Sequence, residues 1–504
     1  MEQAQPGSSR CLDAFVVALN ETCHDGKCII STTALQLASL QFCVACRSAS
    51  TVRLRIDTDT PRHLWAKDSG PQARRSARIR RASRVPALHA REVLWILPAS
   101  MLNATSDSLQ LSNLQLLSFV GANFNDSLGD VALPPGLKGI IIGGRFNRSV
   151  ENVAWPSSLL QLTFGYEFNQ PIDNVTWPKS LMQLTFGNRF NRPLSSVNWP
   201  ASLQQVALGD HFDQPLHGVS WPPDLRVLSF GLLFNQRVDA VAWPTSLQEL
   251  AFGWSFNHSV DEAKWPASLQ KLSFGGGFDK RLDRMVWPAS LQQLVTGSSF
   301  DQQVDQITWP LSVKVIVLGS KFDKCIDRVS FPTFLEELTF GQHFDQALNR
   351  VKWPSSLQQL TLGWNFNQGL LAVVWPVALK KLVLGGRFNQ PIAGVRWPPS
   401  LQELVFSHMF NQPVDVRAAW PASLRKLTFG QDFSKSIHGV AWPKSLQYLR
   451  FGQAFPIPAG DFSWPASLRQ LTFVCYSDDV LPAVPGVEVC RVQPRVGRWP
   501  LYGG

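Results

Sequence analysis

Residues 177–198, WPKSLMQLTFGNRFNRPLSSVN, contain the pattern that determines the fold. A Trp-Pro pair begins this stretch and returns every 22 residues for more than 300 residues. With the period slipping once by one residue after Trp397, 16 consecutive copies can be counted from Leu133 onward. A strict period of this length indicates a solenoid, in which each coil buries its apolar face only against its neighbours.

Within each coil, numbered 1 to 22 from the Trp, the recurring residue types predict the local structure. Positions 8 and 10 are apolar and alternate with polar residues, which indicates a short strand with those two side chains facing inward. The Pro at position 2 holds the preceding residue extended and excludes a helix there, so the return path is extended or turn-like. The Gly at position 11 permits a backbone turn, and the Trp, position-10 and position-14 side chains are expected to form the core.

Position 15 is Asn or Asp in the 13 coils from Asn147 to Asn411. A short polar side chain there can bond the backbone of the next coil. Glycosylation of the sequons at Asn147 and Asn257 would break this ladder, which disfavours secretion.

The chain resembles the FNIP-repeat family, which is related to the leucine-rich repeats. The resemblance rests on the core L-x-x-L-x-F-G-x-x-F-N-x-P-I, present here from Leu159 to Ile172, and on the returning Phe388-Asn389-Gln390-Pro391-Ile392. It covers residues 111 to 474, although Trp-Pro stands where Leu-Pro is expected and most coils lack the second Pro. The resemblance implies a protein-interaction array, joined in some members to an F-box, and implies no catalysis.

We therefore predict a mostly β, elongated, right-handed solenoid of about 16 coils with one parallel sheet, and a parallel β-helix as the alternative. The predicted organisation is a partly helical N-terminal segment at 1–70, an Arg-rich linker at 71–86, a cap at 87–110, the solenoid at 111–474, and a C-terminal cap and tail at 475–504. No run of about 18 apolar residues or secretory signal is apparent, and we expect an intracellular, cytoplasmic monomer.

The N-terminal 110 residues contain five of the eight cysteines and 14 basic against 9 acidic residues. Two cysteine pairs, Cys23 with Cys28 and Cys43 with Cys46, have spacing that a zinc ion accepts, and buried free thiols are the alternative. The six arginines of the linker are interpreted as a solvated chain, with contact to nucleic acid or an anionic membrane as the alternative. Ser83 follows two arginines and is a phosphorylation candidate.

Two columns of aspartate follow the solenoid, one at position 19 and one at position 15. Stacked carboxylates repel unless they are paired or bind a metal, so calcium is one interpretation. The other interpretation is structural: neighbouring Lys and Arg side chains pair with the carboxylates, and each Asp bonds the backbone of its own turn. Neither the columns nor the glycines have the spacing of a known catalytic motif, and we expect no enzyme activity and no cofactor.

The binding surface is predicted from positions that stacking leaves free, namely 7, 9, 12 and 13. Bulky aromatic and charged residues there are typical anchors of an interface, and Trp254, Trp364, Arg189 and Arg387 are expected nearest its centre. The candidate partner-binding residues are Tyr166, Glu167, Arg189, His211, Trp254, Lys321, His343, Trp364 and Arg387. The predicted function is a non-catalytic protein-binding scaffold; the alternatives are a carbohydrate-active β-helix enzyme and a substrate adaptor for ubiquitination.

Overall fold

The computed structural model describes residues 92–95, 114–119, 124–414, 419–457, 464–475, 481–482 and 484–493. The chain divides into two compact units, Met1–Phe234 and Asn235–Gly504. Ser83, the 71–86 linker and the four cysteines of the zinc hypothesis lie outside the described residues, as does the proposed helical segment. None of the described residues forms a helix with the length and hydrophobicity needed to cross a bilayer.

Short parallel strands, about one per 22-residue coil, build both units. Each strand pairs in parallel with its sequence neighbours within the unit. The first unit contains β1 (Glu92–Trp95), β2 (Leu116–Phe119), β3 (Gly139–Ile142), β4 (Gln161–Thr163), β5 (Gln183–Thr185), β6 (Gln205–Ala207) and β7 (Val227–Ser229). The second contains β8 (Glu249–Ala251), β9 (Lys271–Ser273), β10 (Gln293–Val295), β11 (Val315–Val317), β12 (Glu337–Thr339), β13 (Gln359–Thr361), β14 (Lys381–Val383), β15 (Glu403–Val405), β16 (Lys426–Thr428), β17 (Tyr448–Phe451), β18 (Gln470–Val474) and β19 (Glu488–Val492).

The pairing register equals the sequence period, so every residue lies beside its own copy. Leu184 pairs with Val206, 22 residues later, as the repeat predicts. In the described residues the return path contains turns but no helix and no second strand, including the stretch from Phe190 to Pro200. The predicted solenoid with a parallel sheet is therefore confirmed. The single strand per coil is the leucine-rich-repeat arrangement rather than that of a parallel β-helix.

Columns of phenylalanine and leucine form the core. The position-14 Phe rings are fully buried and stack coil on coil, as with Phe256 and Phe278, whose ring centroids are 6.0 Å apart. Within a coil the position-10 ring stacks on the position-14 ring, as Phe274 does on Phe278 at 4.1 Å. Such offset contacts add about 0.5–1.5 kcal/mol each to the burial of the rings. Recurring side chains of similar type thus let one local packing solution repeat along the chain.

The position-1 tryptophans belong to the buried core in some coils and are only half-buried in others, so the prediction that they are part of the core is borne out in part. They stack as expected, with Trp199 and Trp221 6.4 Å apart. However, the best buried of them, such as Trp177 at 7%, retain some exposure, and Trp265 is only half-buried. The indole column is therefore less completely buried than the phenylalanine column at position 14.

Two ladders of side-chain hydrogen bonds hold the coils together. At position 15 the side-chain oxygen accepts the backbone N–H of position 15 in the next coil, as Asn257 does from Asp279 at 3.0 Å. This confirms the predicted ladder. At position 4 a serine hydroxyl donates to the position-5 carbonyl of the preceding coil, as Ser268 does to Leu247 at 2.6 Å. The serine ladder explains a recurring residue for which the sequence offered no reason.

The glycine at position 11 is required by close approach between coils, not by turn conformation. The Cβ of an alanine at Gly275 would lie 1.5 Å from the carbonyl oxygen of Gly253 in the preceding coil. The described glycines with positive φ are at other positions, for example Gly218 and Gly394. The expected turn does follow position 11, as the bond of 3.0 Å from the Phe278 N–H to the Gly275 carbonyl shows. What excludes a side chain, however, is the backbone of the preceding coil.

Candidate functional site

The surface that faces away from the core is fixed by the backbone and varies only in its side chains. On each strand positions 7 and 9 point outward, as shown by the half-buried or exposed residues on either side of the buried Leu at position 8. After the glycine, the position-13 N–H donates to the position-12 carbonyl of the preceding coil, as Arg387 does to Trp364 at 2.8 Å. Positions 12 and 13 thus present side chains from a hydrogen-bonded frame, which suits a preorganised binding surface.

In the first unit the structure brings three of the predicted residues into contact. The guanidinium of Arg189 forms an ion pair of 2.8 Å with Glu167 and lies 5.8 Å from the ring centroid of Tyr166. His211 follows in the next coil and is exposed, with its Nδ1 3.0 Å from the carbonyl oxygen of Asn188. The group is therefore a surface cluster that ion pairing and cation–π contact hold in place.

In the second unit Trp254 is the most prominent of the predicted residues. Its side chain is 57% exposed. The indole lies flat against Gly276, the equivalent position in the next coil, where an added Cβ would be 2.1 Å from its Cε3. The expectation that stacking leaves this tryptophan free is wrong. Its ring packs on the backbone of Gly276 in the next coil. One face of the ring is held by the backbone, and the rest is open to solvent.

Trp364 repeats this arrangement but is less open than expected. Its indole covers Gly386, whose added Cβ would be 2.3 Å from Cδ2 and Cε3. Because Gly386 has no side chain, the ring also contacts His408 one coil further on, edge to face at a centroid distance of 5.4 Å. The side chain is consequently half-buried and not exposed as predicted. Arg387, on the neighbouring position, is exposed.

Lys321 and His343 occupy position 13 of adjacent coils and are both exposed. Each is fixed through its backbone, with N–H groups donating to Ser298 and Ser320 at 2.8 Å. They lie on the coils between Trp254 and Trp364. The second unit therefore presents five predicted residues on one continuous row of post-glycine positions.

The aspartates at position 15 are hydrogen-bonded to protein groups. At position 15, Asp279 accepts the N–H of Asp301, whose own carboxylate binds the Nζ of Lys324 at 2.6 Å. Within the described residues no group of three or more His, Cys, Asp or Glu side chains is placed to hold a metal ion. The hydrogen bonds of this ladder support the structural interpretation of position 15 over the calcium interpretation.

At position 19, two aspartates are bound by arginines two residues earlier. Asp239 accepts bonds of 3.1 and 3.0 Å from Arg237, and Asp283 accepts bonds of 2.9 and 2.7 Å from Arg281. The hydrogen bond from the arginine is the main cause that lowers the pKa of Asp239, and likewise that of Asp283. These carboxylates are thus held ionised by pairing.

Sequence reasoning missed several exposed apolar residues at positions 12 and 13 of the coils. Leu232 and Leu233, at 52% and 47% exposure, occupy positions 12 and 13 in the first unit, and Met409, at 41%, lies beside His408 in the second. Comparing the residue at position 12 of each coil with the residue 22 positions later would have revealed these residues. It would also have shown that Trp254 and Trp364 are each followed, one coil later, by a glycine. Two open grooves of about 430 and 620 Å³ lie on the return side instead.

Comparison with known proteins agrees with the geometry. The family model of the FNIP repeat matches residues 113–167, 168–211, 300–343 and 388–432. A crystal structure of CroV588, described as a novel circular leucine-rich-repeat protein, is 28% identical, with a TM-score of 0.71 over 93% of this chain and 70% of that one. No curated protein matches the chain.

Two further solved structures are less similar. An internalin from Listeria monocytogenes is 13% identical, with a TM-score of 0.38 over 58% of this chain and 81% of that chain. A TLR13–ssRNA13 complex is 15% identical, with a TM-score of 0.40 over 77% and 63%. Neither similarity is close enough to carry an argument. The matched segments and the similarity to the first structure confirm the resemblance: the chain contains FNIP repeats and has the stacked-coil architecture of the leucine-rich repeats.

Proposed function

We propose that this chain is a non-catalytic scaffold that binds a protein partner through the strand face and post-glycine positions of its second unit. The observation that carries the proposal is the indole of Trp254, 57% exposed and seated on Gly276. A large aromatic side chain that is already ordered loses little entropy on binding. Such anchors supply most of the energy of a protein interface.

The position of the second tryptophan supports the same surface. Trp254 and Trp364 are five coils apart, or about 24 Å at the usual strand spacing, a span that an interface of standard size covers. Lys321, His343 and Arg387 project from the coils in or next to this span. The surface thus has apolar anchors with charged residues around them, as interfaces do.

The experiment is affinity capture with the full-length chain, followed by measurement of the affinity of a captured protein for variants. We expect Trp254→Ser combined with Trp364→Ser to weaken binding by about 2 kcal/mol, or roughly thirtyfold. Thermal unfolding should change little, since both rings lie on the surface of the coils. Leu311→Ser is the matched control, because Leu311 is 67% exposed on the return side.

Binding that survives the double substitution would refute the proposed surface. Collapse of the fold would show instead that the two rings are structural. Cleavage of a co-purified glycan would favour a carbohydrate-active enzyme and contradict the scaffold.

We also propose that the scaffold acts inside the cell, in the cytoplasm, as a monomer. Among the described residues Cys325, Cys475 and Cys490 are free thiols, which agrees with a reducing compartment. Microscopy of the tagged full-length chain tests the compartment, and light scattering of the purified chain tests the monomer.

A further inference from the structure

A group of exposed cations lies on the strand face toward the C-terminal end of the second unit. Arg425, Lys426, Arg450 and Arg469, here called the basic strand patch, are all exposed. They belong to the three adjacent coils of β16, β17 and β18. The backbone N–H of Gln447 donates to Arg425, and that of Arg469 donates to Gln447, both at 2.8 Å.

The register of the strands places the other two cations of the patch on the same face. In the strand register Lys426 lies beside Tyr448, and Arg450 lies between Thr428 and Thr472. Positions 6, 7 and 9 of neighbouring coils all face outward here. With coils about 4.8 Å apart, four positive charges therefore occupy a strip roughly 10 Å wide.

These cations differ from two lysines on the strand face of preceding coils, which form ion pairs. Lys271 pairs with Glu249 at 2.6 Å, and Lys381 pairs with Glu403 at 3.5 Å. Within the described part of the chain, no carboxylate forms an ion pair with any of the four cations of the patch. Like charges held this close repel one another. A negatively charged ligand would relieve that repulsion.

Carboxylates bound the patch at both ends. Glu403 on β15 stands in register with Lys426, and Glu488 on β19 stands in register with Gln470. A long polyanion lying along the stack of coils would meet both carboxylates. A short acidic segment fits between them.

The aromatic content also argues against a nucleic acid as the ligand. Binding of single strands depends on aromatic faces that are free to stack on bases. Tyr448 is the aromatic residue of these three strands that faces outward, and the Nζ of Lys426 lies 5.4 Å from its ring centroid. Its face is already engaged by the cation.

We propose that the basic strand patch binds a short segment of a partner protein that is rich in aspartate and glutamate. The proposal rests on the protein-binding function proposed above and adds the chemistry of one contact. Arg450 and Arg469 are the main ligands, since guanidinium groups bind carboxylates with two parallel hydrogen bonds. Lys426, held by Tyr448, contributes charge.

The test measures fluorescence anisotropy of the full-length chain with a short labelled peptide rich in glutamate. A peptide with glutamine at every glutamate and a single-stranded oligothymidylate are measured in parallel. Arg450→Gln combined with Arg469→Gln should raise the dissociation constant of the acidic peptide by about fivefold or more, and added salt should raise it for the native chain. The matched control is Lys271→Gln combined with Lys314→Gln, two paired lysines on coils away from the patch, for which we expect a change below about twofold.

Three results would overturn the proposal: no preference for glutamate over glutamine, tighter binding of the oligonucleotide, or equal losses in the two double variants. The outcome is separable from that of the proposed function. The variant with Ser at Trp254 and Trp364 should bind the acidic peptide normally, because those residues lie on other coils. Partner binding that survives the tryptophan substitutions refutes the proposed function, whereas peptide binding that survives the arginine substitutions refutes the basic strand patch.

Discussion

Replacement of Gly275 by Ala tests the reason for the recurring glycine at position 11. The new Cβ would lie 1.5 Å from the carbonyl oxygen of Gly253. Real Cβ atoms essentially never approach other heavy atoms within 3.0 Å, so the two coils must separate locally by about 1.5 Å. The neighbouring bonds between coils, such as Gly277 N–H to Trp254 at 2.6 Å, cannot all survive that shift.

The cost follows from these contacts. Overpacking costs about 1–3 kcal/mol, and two lost hydrogen bonds at about 0.5–1.5 kcal/mol each add a similar amount. We therefore expect Gly275→Ala to lower the free energy of unfolding by about 3 kcal/mol. Urea denaturation, with amide hydrogen exchange of the adjacent coils as a second measurement, provides the assay, since a long repeat array need not unfold in one step.

The chain itself offers the controls. Gly369 is exposed, and an added Cβ there meets nothing within 4 Å, so Gly369→Ala should change stability by less than about 0.5 kcal/mol. Ser407 occupies position 11 naturally, and its hydroxyl donates to the carbonyl of Leu384. Gly275→Ser carries the same Cβ and should therefore also be destabilising. If Gly275→Ala and Gly369→Ala have the same free energy of unfolding, the close approach between coils is not what requires the glycine.

Two further predictions concern the polar columns. Asn257→Ala should remove the acceptor of the Asp279 N–H and cost about 1–3 kcal/mol, with faster hydrogen exchange at Asp279; unchanged exchange at that amide would contradict the ladder. Asp283 has its pKa lowered from 3.8 by Arg281, so its contribution to stability is present above pH 3.8 and is lost as the pH falls through the lower folded-state pKa. Melting temperatures across this acidic range should accordingly fall less steeply for Asp283→Asn than for the native chain, and identical slopes would refute the assignment.

The candidate site was only partly predictable. Trp254 and Trp364 occupy positions that stacking leaves variable, and that alone identified them. What the sequence did not reveal is the partner of each ring, because Gly276 and Gly386 resemble any other surface glycine until the coils are superposed. Contact across coils turned one predicted anchor, Trp364, into a half-buried residue with a neighbour at His408.

The sequence by itself determined the architecture, because a strict 22-residue period forces every residue to stack on its own copy. Strand position, parallel pairing and the Asn ladder all follow from that constraint and from local residue types. Only the tertiary structure decided which copies press so closely that Gly275 admits no side chain, how far the position-1 tryptophans are buried, and which surface cations lack a carboxylate. Those properties depend on distances between neighbouring coils, and a single-coil pattern does not contain them.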